Sequence, residues 1–124
     1  MSKMIHVLVV DDDKSFRDLM SKLLHKHGYV VHHAEDGLDA LSIMADQCPD
    51  LIITDFKMPR MDGIEFLARV WDIYHDIPVV FSSAYYNYPE DLSPIHQGKT
   101  HYLPKPIDVE ALLLLLKKLF PLDE

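Results

Sequence analysis

Four aspartates stand directly after apolar segments of the chain, Asp11, Asp12 and Asp13 in one place and Asp55 in another. If those segments are neighbouring strands, their carboxylates crowd into one cleft, and each like-charge pair about 4 Å apart at an effective dielectric near 20 costs roughly 4 kcal/mol. Protonation, a lysine or a bound cation must offset this repulsion. An acidic, all-oxygen site with few protein ligands is typical of Mg²⁺ or Mn²⁺. A carboxylate in such a site can also act as a nucleophile.

Two more apolar segments end in residues that bear on this chemistry. Ser82 and Ser83 follow residues 78–81, and Lys105 follows residues 101–103 between two prolines. A lysine at the same edge of the sheet is one of the groups that could offset the carboxylate repulsion.

The segments that must position these residues read as parallel strands. Residues 5–10, 50–54 and 78–81 are apolar and β-branched, and they are continuous rather than alternating, which is typical of strands covered on both faces. Residues 29–33 and 101–103 are weaker strand candidates.

Helix-period segments separate the strands. Asp108 is the predicted N-cap of a last helix over about residues 109–120, Asp13 is predicted to be an N-cap or a surface charge, and Gly28 is a predicted stop. Pro89 and Pro94 leave room only for a short or irregular fourth helix between Tyr85 and Gly98. The alternation predicts an α/β fold with a doubly wound, five-stranded parallel sheet, in which ligands bind beyond the carboxyl ends of the strands.

Composition limits the classes of protein. The 124 residues suit one domain, residues 1–124, and the net charge of −8 argues against binding to nucleic-acid backbones. The longest apolar run, from Ala111 to Leu116, is far shorter than the roughly 20 residues of a membrane span. The N-terminus does not have the pattern of a signal peptide, so a cytoplasmic location is expected. The single cysteine, Cys48, excludes an internal disulfide and is expected to be buried.

Five short motifs resemble the receiver domain of two-component response regulators, and the resemblance covers essentially the whole chain. Their order and spacing are in the family's range, although each motif alone is weak. They are Val9-Val10-Asp11-Asp12, Asp55 with Met58-Pro59, Met61-Asp62-Gly63, Ser83-Ala84 and Tyr102-Leu103-Pro104-Lys105-Pro106. The resemblance implies a flavodoxin-like (βα)5 sandwich with strand order 2-1-3-4-5.

The resemblance also implies the chemistry of the site. Asp55 would accept a phosphoryl group from a histidine kinase or a histidine phosphotransfer protein, in a reaction that depends on Mg²⁺ or Mn²⁺. Asp12, Asp55 and the backbone carbonyl of Lys57 would hold the metal, with Asp11 helping through water. Lys105 would pair with the phosphoryl group, and the Lys105-Pro106 peptide bond is cis in most relatives.

Two further functions follow from the same resemblance. Ser83 and Tyr102 would act as a switch, because phosphate draws the Ser83 hydroxyl inward and the Tyr102 ring turns into the vacated space. Lys57 and Tyr85 flank the path by which water attacks an acyl phosphate. Both are large, so slow self-dephosphorylation is expected, as in the phosphorelay intermediates of bacterial sporulation; a chemotaxis-like function is not distinguished from this one.

Protein partners are expected beyond the kinase. Leu114 and Leu115 point away from the predicted core stripe of the last helix, which contains Val109. They could form a docking patch for a downstream target, or for a homodimer through the fourth helix, the fifth strand and the last helix. We expect a natural single-domain regulator, while a segment of a longer regulator or hybrid kinase is the alternative. No direct nucleic-acid or membrane partner is expected.

The sequence favours a phosphoacceptor domain, which is not expected to be an enzyme acting on other substrates, over three alternatives. A pseudo-receiver would be a phosphorylation-independent interaction module, but such proteins usually lack an acidic residue or the lysine. A haloacid-dehalogenase-like phosphatase needs a second Asp two residues after the nucleophile, where this chain has Lys57. A flavin phosphate would be repelled by the carboxylates that end the first strand.

Overall fold

The computed structural model describes residues 4–83 and 100–121 of the chain. They form five strands and four helices, which alternate as far as β4. The expected short helix between Tyr85 and Gly98 lies outside the described residues, so β5 is the next described element after β4. The elements are β1 (His6–Val10), α1 (Lys14–Lys26), β2 (Val30–Ala34), α2 (Gly37–Asp46), β3 (Leu51–Thr54), α3 (Gly63–Ile73), β4 (Val79–Phe81), β5 (Thr100–Tyr102) and α4 (Val109–Leu119).

All five strands form one parallel sheet in the order β2-β1-β3-β4-β5, as predicted. The register places Val10 beside Thr54 and Thr54 beside Phe81, so the three central strands end at the same level. Residues that follow these strands therefore share one edge of the sheet.

The strands are apolar on both faces because helices cover both. Leu8 and Val10 of β1 pack into one buried cluster with residues of α2 and α3. Val7 and Val9 point to the opposite face and pack into a second cluster with residues of α1 and α4. This arrangement confirms the doubly wound architecture and explains why the strand sequences do not alternate.

Aspartates begin all four described helices. Asp108 was predicted as an N-cap and Asp13 as an N-cap or a surface charge, and each accepts a backbone N–H of the helix that follows it; Asp36 and Asp62 do the same for α2 and α3. Gly28 follows α1 with a φ of 92°, which confirms the predicted stop. Among the described residues, no helix combines the length and the apolar character that a membrane crossing requires.

Three side-chain predictions were wrong. Cys48 is exposed, because it lies in the connection after α2 rather than in either core. On α4, Leu115 packs against the second cluster, whereas Val109, in the first turn, is 41% exposed. The buried stripe is therefore centred on Leu112 and Leu116, and of the two predicted outward leucines only Leu114 is largely exposed, at 67%.

Candidate functional site

The residues that follow the strands are held in place by backbone hydrogen bonds that extend the sheet. The N–H of Asp55 donates to the carbonyl of Val10 at 3.2 Å, and the N–H of Lys105 donates to the carbonyl of Ser83 at 2.9 Å. Similarly, the N–H of Asp11 donates to Ala34 at 3.1 Å. The backbone thus brings Asp11, Asp55, Ser83 and Lys105 to one edge, as the sequence predicted.

Three charged side chains meet at the centre of this edge. The ammonium of Lys105 donates to Asp11 Oδ2 at 2.6 Å and to Asp55 Oδ2 at 3.1 Å. The side chains are 1% (Asp11), 13% (Asp55) and 19% (Lys105) exposed. The lysine therefore bridges the two carboxylates and offsets the repulsion between them.

Backbone donors orient the remaining carboxylate oxygens. Asp11 Oδ1 accepts the N–H of Asp13 at 2.9 Å, and Asp55 Oδ1 accepts the N–H of Phe56 at 2.6 Å. The N–H of Lys57 lies 3.4 Å from the same Asp55 oxygen. Both carboxylates are thus fixed on one side by the backbone and on the other by Lys105.

The electrostatics of the cluster favour additional positive charge. Burial raises the pKa of Asp11 above its ordinary value, against the lowering effect of Lys105 and the Asp13 N–H. Burial also acts to lower the pKa of Lys105, but hydrogen bonds and charge interactions with Asp11 and Asp55 outweigh it and raise that pKa. Asp11 thus holds a proton more tightly mainly because it is buried, whereas Lys105 does so because two carboxylates share its single ammonium.

The donor set fits a magnesium ion. Mg²⁺ is usually held by one or two carboxylates together with waters and substrate phosphate oxygens. Asp11 and Asp55 lie close enough to share one cation, because both carboxylates contact the Lys105 ammonium. Asp12, which follows Asp11 in the chain, is exposed. Lys57, whose backbone carbonyl is another predicted ligand, is exposed too. Within residues 4–83 and 100–121, no three or more His, Cys, Asp or Glu side chains converge on a common point that could hold a metal. The set of Asp11, Asp12, Asp55 and Lys57 remains a prediction.

The two predicted switch residues are neighbours. Ser83 is buried at 1% exposure, and the Tyr102 hydroxyl lies 3.5 Å from its carbonyl oxygen. The Tyr102 ring stacks on the ring of Phe56, with 6.3 Å between the two centroids. Phe56 is the residue that follows Asp55 in the chain. The second residue predicted to tune dephosphorylation, Tyr85, lies outside the described residues.

Sequence reasoning missed two contacts to the charged cluster from α1. The Phe16 ring lies under the ammonium of Lys105, with 4.2 Å between Nζ and the ring centroid. Arg17 Nη1 donates to the carbonyl oxygen of Asp11 at 2.6 Å. An aromatic and a basic residue in the first turn after an acidic strand end are the only sequence signal for these contacts.

Gly63 controls the approach of α3 to the site. A Cβ atom on this residue would lie 2.3 Å from the carbonyl oxygen of Asp55, and its N–H donates to the carbonyl of Phe56 at 2.8 Å. Only glycine allows the start of α3 to lie this close to Asp55, which explains why glycine follows Asp62 at this place in the site.

Comparisons with known proteins agree with this geometry. The family model of the response regulator receiver domain matches residues 7–117. The response regulator MprA of Mycobacterium sp. (strain KMS) is 35% identical over 115 residues, which are 93% of this chain and 50% of that protein. This chain thus spans about half the length of the curated relatives it matches.

Solved structures extend the likeness to the whole fold. The chemotaxis protein CheY4 of Vibrio cholerae is 35% identical with a TM-score of 0.83, covering 94% of this chain and 99% of that one. The receiver domain of NtrX from Brucella abortus is 28% identical with a TM-score of 0.82, again covering 94% and 99%. This chain belongs to the receiver domain family of two-component response regulators.

Proposed function

We propose that this receiver domain accepts a phosphoryl group on Asp55, in a Mg²⁺-dependent reaction, and thereby switches a protein-interaction surface. The observation that carries the proposal is the bridge that the Lys105 ammonium makes between Asp11 and Asp55 at the ends of adjacent central strands. This bridge supports the proposal because it orients a carboxylate beside an ammonium that could attract an anionic group.

The chemical step is a transfer between two nucleophiles. An oxygen of Asp55 attacks the phosphorus of a phosphohistidine on a kinase or phosphotransfer protein, and the new O–P bond forms as the P–N bond breaks. The electron pair of the P–N bond goes to the imidazole nitrogen of the donor. Lys105 moves its hydrogen bond from Asp55 to the arriving phosphoryl oxygens, while the N–H of Phe56 keeps the carboxylate in place.

A magnesium ion, when bound, would neutralise charge on the carboxylates and the phosphoryl oxygens. The residues that would hold it are Asp11, Asp12, Asp55 and the carbonyl of Lys57. Manganese, which prefers the same oxygen donors, would serve in its place.

The switch would connect the phosphate to the surface. We infer that the Ser83 hydroxyl hydrogen-bonds a phosphoryl oxygen and that the Tyr102 ring follows it, changing the face around β5 and α4. That face would contact the downstream protein target or a second copy of the chain. The domain would be a cytoplasmic phosphoprotein of a bacterial pathway and would catalyse only its own phosphorylation and dephosphorylation.

The test is intact-mass spectrometry after incubation with acetyl phosphate or a phosphorylated histidine protein. We expect one added phosphate on the wild type with Mg²⁺, and none with EDTA or in Asp55→Asn. The matched control is Asp50→Asn, which removes a carboxylate before β3 rather than after it and should leave phosphorylation intact. Phosphorylation that persists in Asp55→Asn would refute the assignment, and a wild type that never gains phosphate would favour a pseudo-receiver.

A further inference from the structure

A strained turn lies in the loop between β3 and α3. The N–H of Met61 donates to the carbonyl of Pro59 at 2.7 Å, and Arg60 between them has a φ of 66°. A hydrogen bond that closes three residues around a positive φ is the rare and strained form of the γ-turn. A residue with a side chain keeps such a conformation only where other contacts hold it.

The Arg60 side chain makes contacts that can hold this turn in its strained conformation. Its Nε donates to Asp36 Oδ2 at 2.6 Å, and its Nη2 donates to Asp36 Oδ1 at 2.9 Å. The Asp36 side chain is only 3% exposed, whereas that of Arg60 is 57% exposed. A buried carboxylate needs partners, and a guanidinium offers two donors in a fixed geometry. The hydrogen bond from Arg60 also lowers the pKa of Asp36, which keeps this carboxylate charged.

Asp36 is a firm anchor for the loop. It caps α2, and its Oδ1 accepts the N–H of Asp39 at 2.9 Å. Beside it, Gly37 lies so close to Met61 that an added Cβ would be 2.9 Å from the Met61 sulfur. Two consecutive residues of the loop, Arg60 and Met61, therefore contact two consecutive residues at the start of α2.

The same loop carries the phosphoacceptor site. It begins with Asp55, whose Oδ1 accepts the N–H of Phe56, and it closes at Gly63, which donates to the Phe56 carbonyl. Only two residues separate Arg60 from Lys57, whose carbonyl is the predicted metal ligand. A shift of the turn at Arg60 would therefore be passed directly to the backbone beside Asp55.

We propose that Asp36 and Arg60 are a positioning pair, whose ion pair holds the strained turn and thereby keeps the loop closed around Asp55 in the arrangement that binds Mg²⁺. Neither residue touches the reacting atoms in this proposal. The statement about Mg²⁺ rests on the proposed function, whereas the statement about the loop does not.

Asp36→Asn is the first variant to test, because asparagine caps a helix about as well as aspartate but lacks the charge. In the metal-free protein, we expect hydrogen exchange of the Met61 and Gly63 amides, followed by NMR, to become about tenfold faster or more, while amides of β1 keep their rates. The Mg²⁺ dissociation constant from calorimetry should rise about tenfold. Asp72→Asn removes an exposed carboxylate from α3 and should change neither quantity.

Adding Arg60→Gly to Asp36→Asn tests whether strain is the cause. Glycine adopts a positive φ without steric penalty, so the turn no longer needs the ion pair. Both the exchange rates and the Mg²⁺ dissociation constant should return most of the way to wild-type values. If the ion pair only stabilised the loop, replacing Arg60 as well as Asp36 would not return the exchange rates or the dissociation constant towards wild-type values.

Wild-type exchange rates at Met61 and Gly63 in Asp36→Asn would overturn the proposal, and so would a double variant no closer to the wild type than the single one. A wild-type chain that binds no Mg²⁺ would instead contradict the proposed function. In that case the exchange rates still decide whether the pair holds the loop.

Discussion

The Lys105 ammonium lies 2.6 Å from Asp11 Oδ2 but 3.1 Å from Asp55 Oδ2, so it is closer to the carboxylate that follows β1 than to the proposed phosphoacceptor. Asp11 is also the more buried of the two, with 1% of its side chain exposed against 13% for Asp55. The two acids are thus unequal. Asp11 lies closer to the positive charge of Lys105, whereas Asp55 is farther from that charge and more accessible to an incoming group.

Binding of Mg²⁺ should raise the melting temperature of the wild-type protein, because a ligand that binds only the folded state stabilises it by about 2.7 kcal/mol at 100 times its dissociation constant. Asp12→Ala should abolish this rise, and should stabilise the metal-free protein by removing one like charge. Asp72→Asn, with an equal loss of charge on α3, should keep the rise. A melting temperature of the wild type that does not respond to Mg²⁺ would contradict the proposed carboxylate site.

Gly63→Ala should both destabilise the fold and slow phosphorylation, because the new Cβ would meet the Asp55 carbonyl at 2.3 Å and force the backbone apart. We expect a loss of about 1–3 kcal/mol in the free energy of unfolding, measured in urea. Gly28→Ala is the control, since its φ of 92° strains an alanine but nothing lies within 4 Å of the added atom. Only the Gly63 variant should lose rate with acetyl phosphate; equal rates in both variants would show that the contact does not position Asp55.

Self-dephosphorylation should be slow in the wild type and faster in the double variant Lys57→Asn, Tyr85→Glu. Attack on the acyl phosphate needs a water in line with the leaving carboxylate. The family resemblance implies that Lys57 and Tyr85 flank the path of this water, so their large side chains should exclude or misplace it. The measurement is the decay of radiolabelled phosphoprotein in Mg²⁺. A wild-type decay as fast as that of the double variant would refute the shielding.

Stability should fall as the pH drops below about 6.5, in part through His32. Burial, followed by the nearby His6 and His33, lowers the pKa of His32 from its ordinary 6.5. The unfolded chain therefore takes up a proton that the folded chain resists, so the contribution is fully present above about pH 6.5 and is lost as the pH falls towards the folded pKa. His32 also shares a 2.9 Å N···N hydrogen bond with His6, which two protonated imidazoles could not form.

Urea unfolding at about pH 7.5 and about pH 5.5 would measure this effect. His32→Gln cannot take up a proton in this range, so its loss of stability between the two values should be smaller than that of the wild type. NMR titration of the His32 ring should give a pKa below 6.5. An equal loss of stability in the two proteins would assign the pH dependence to other histidines.

Much of the fold was readable from the sequence because its signals are local. The runs in β1, β3 and β4 are continuously apolar, since each strand contributes side chains to both clusters, and the aspartates at positions 13 and 108 mark helix starts by accepting N–H groups only a few residues away. Parallel strands in register then place every strand end at one edge. For that reason the sequence alone predicts that Asp11, Asp55, Ser83 and Lys105 lie at one edge of the sheet.

Tertiary structure alone decided how these side chains divide their contacts. The Lys105 ammonium reaches Asp11 across 94 positions of sequence, and Arg60 reaches Asp36 across 24. Such distances depend on how the strands are ordered and how closely α1, α2 and α3 approach the sheet, which no local pattern encodes. The turn at Arg60 shows this most clearly. A positive φ is unfavourable for arginine, and the ion pair with Asp36 at the start of α2 holds Arg60 in this conformation.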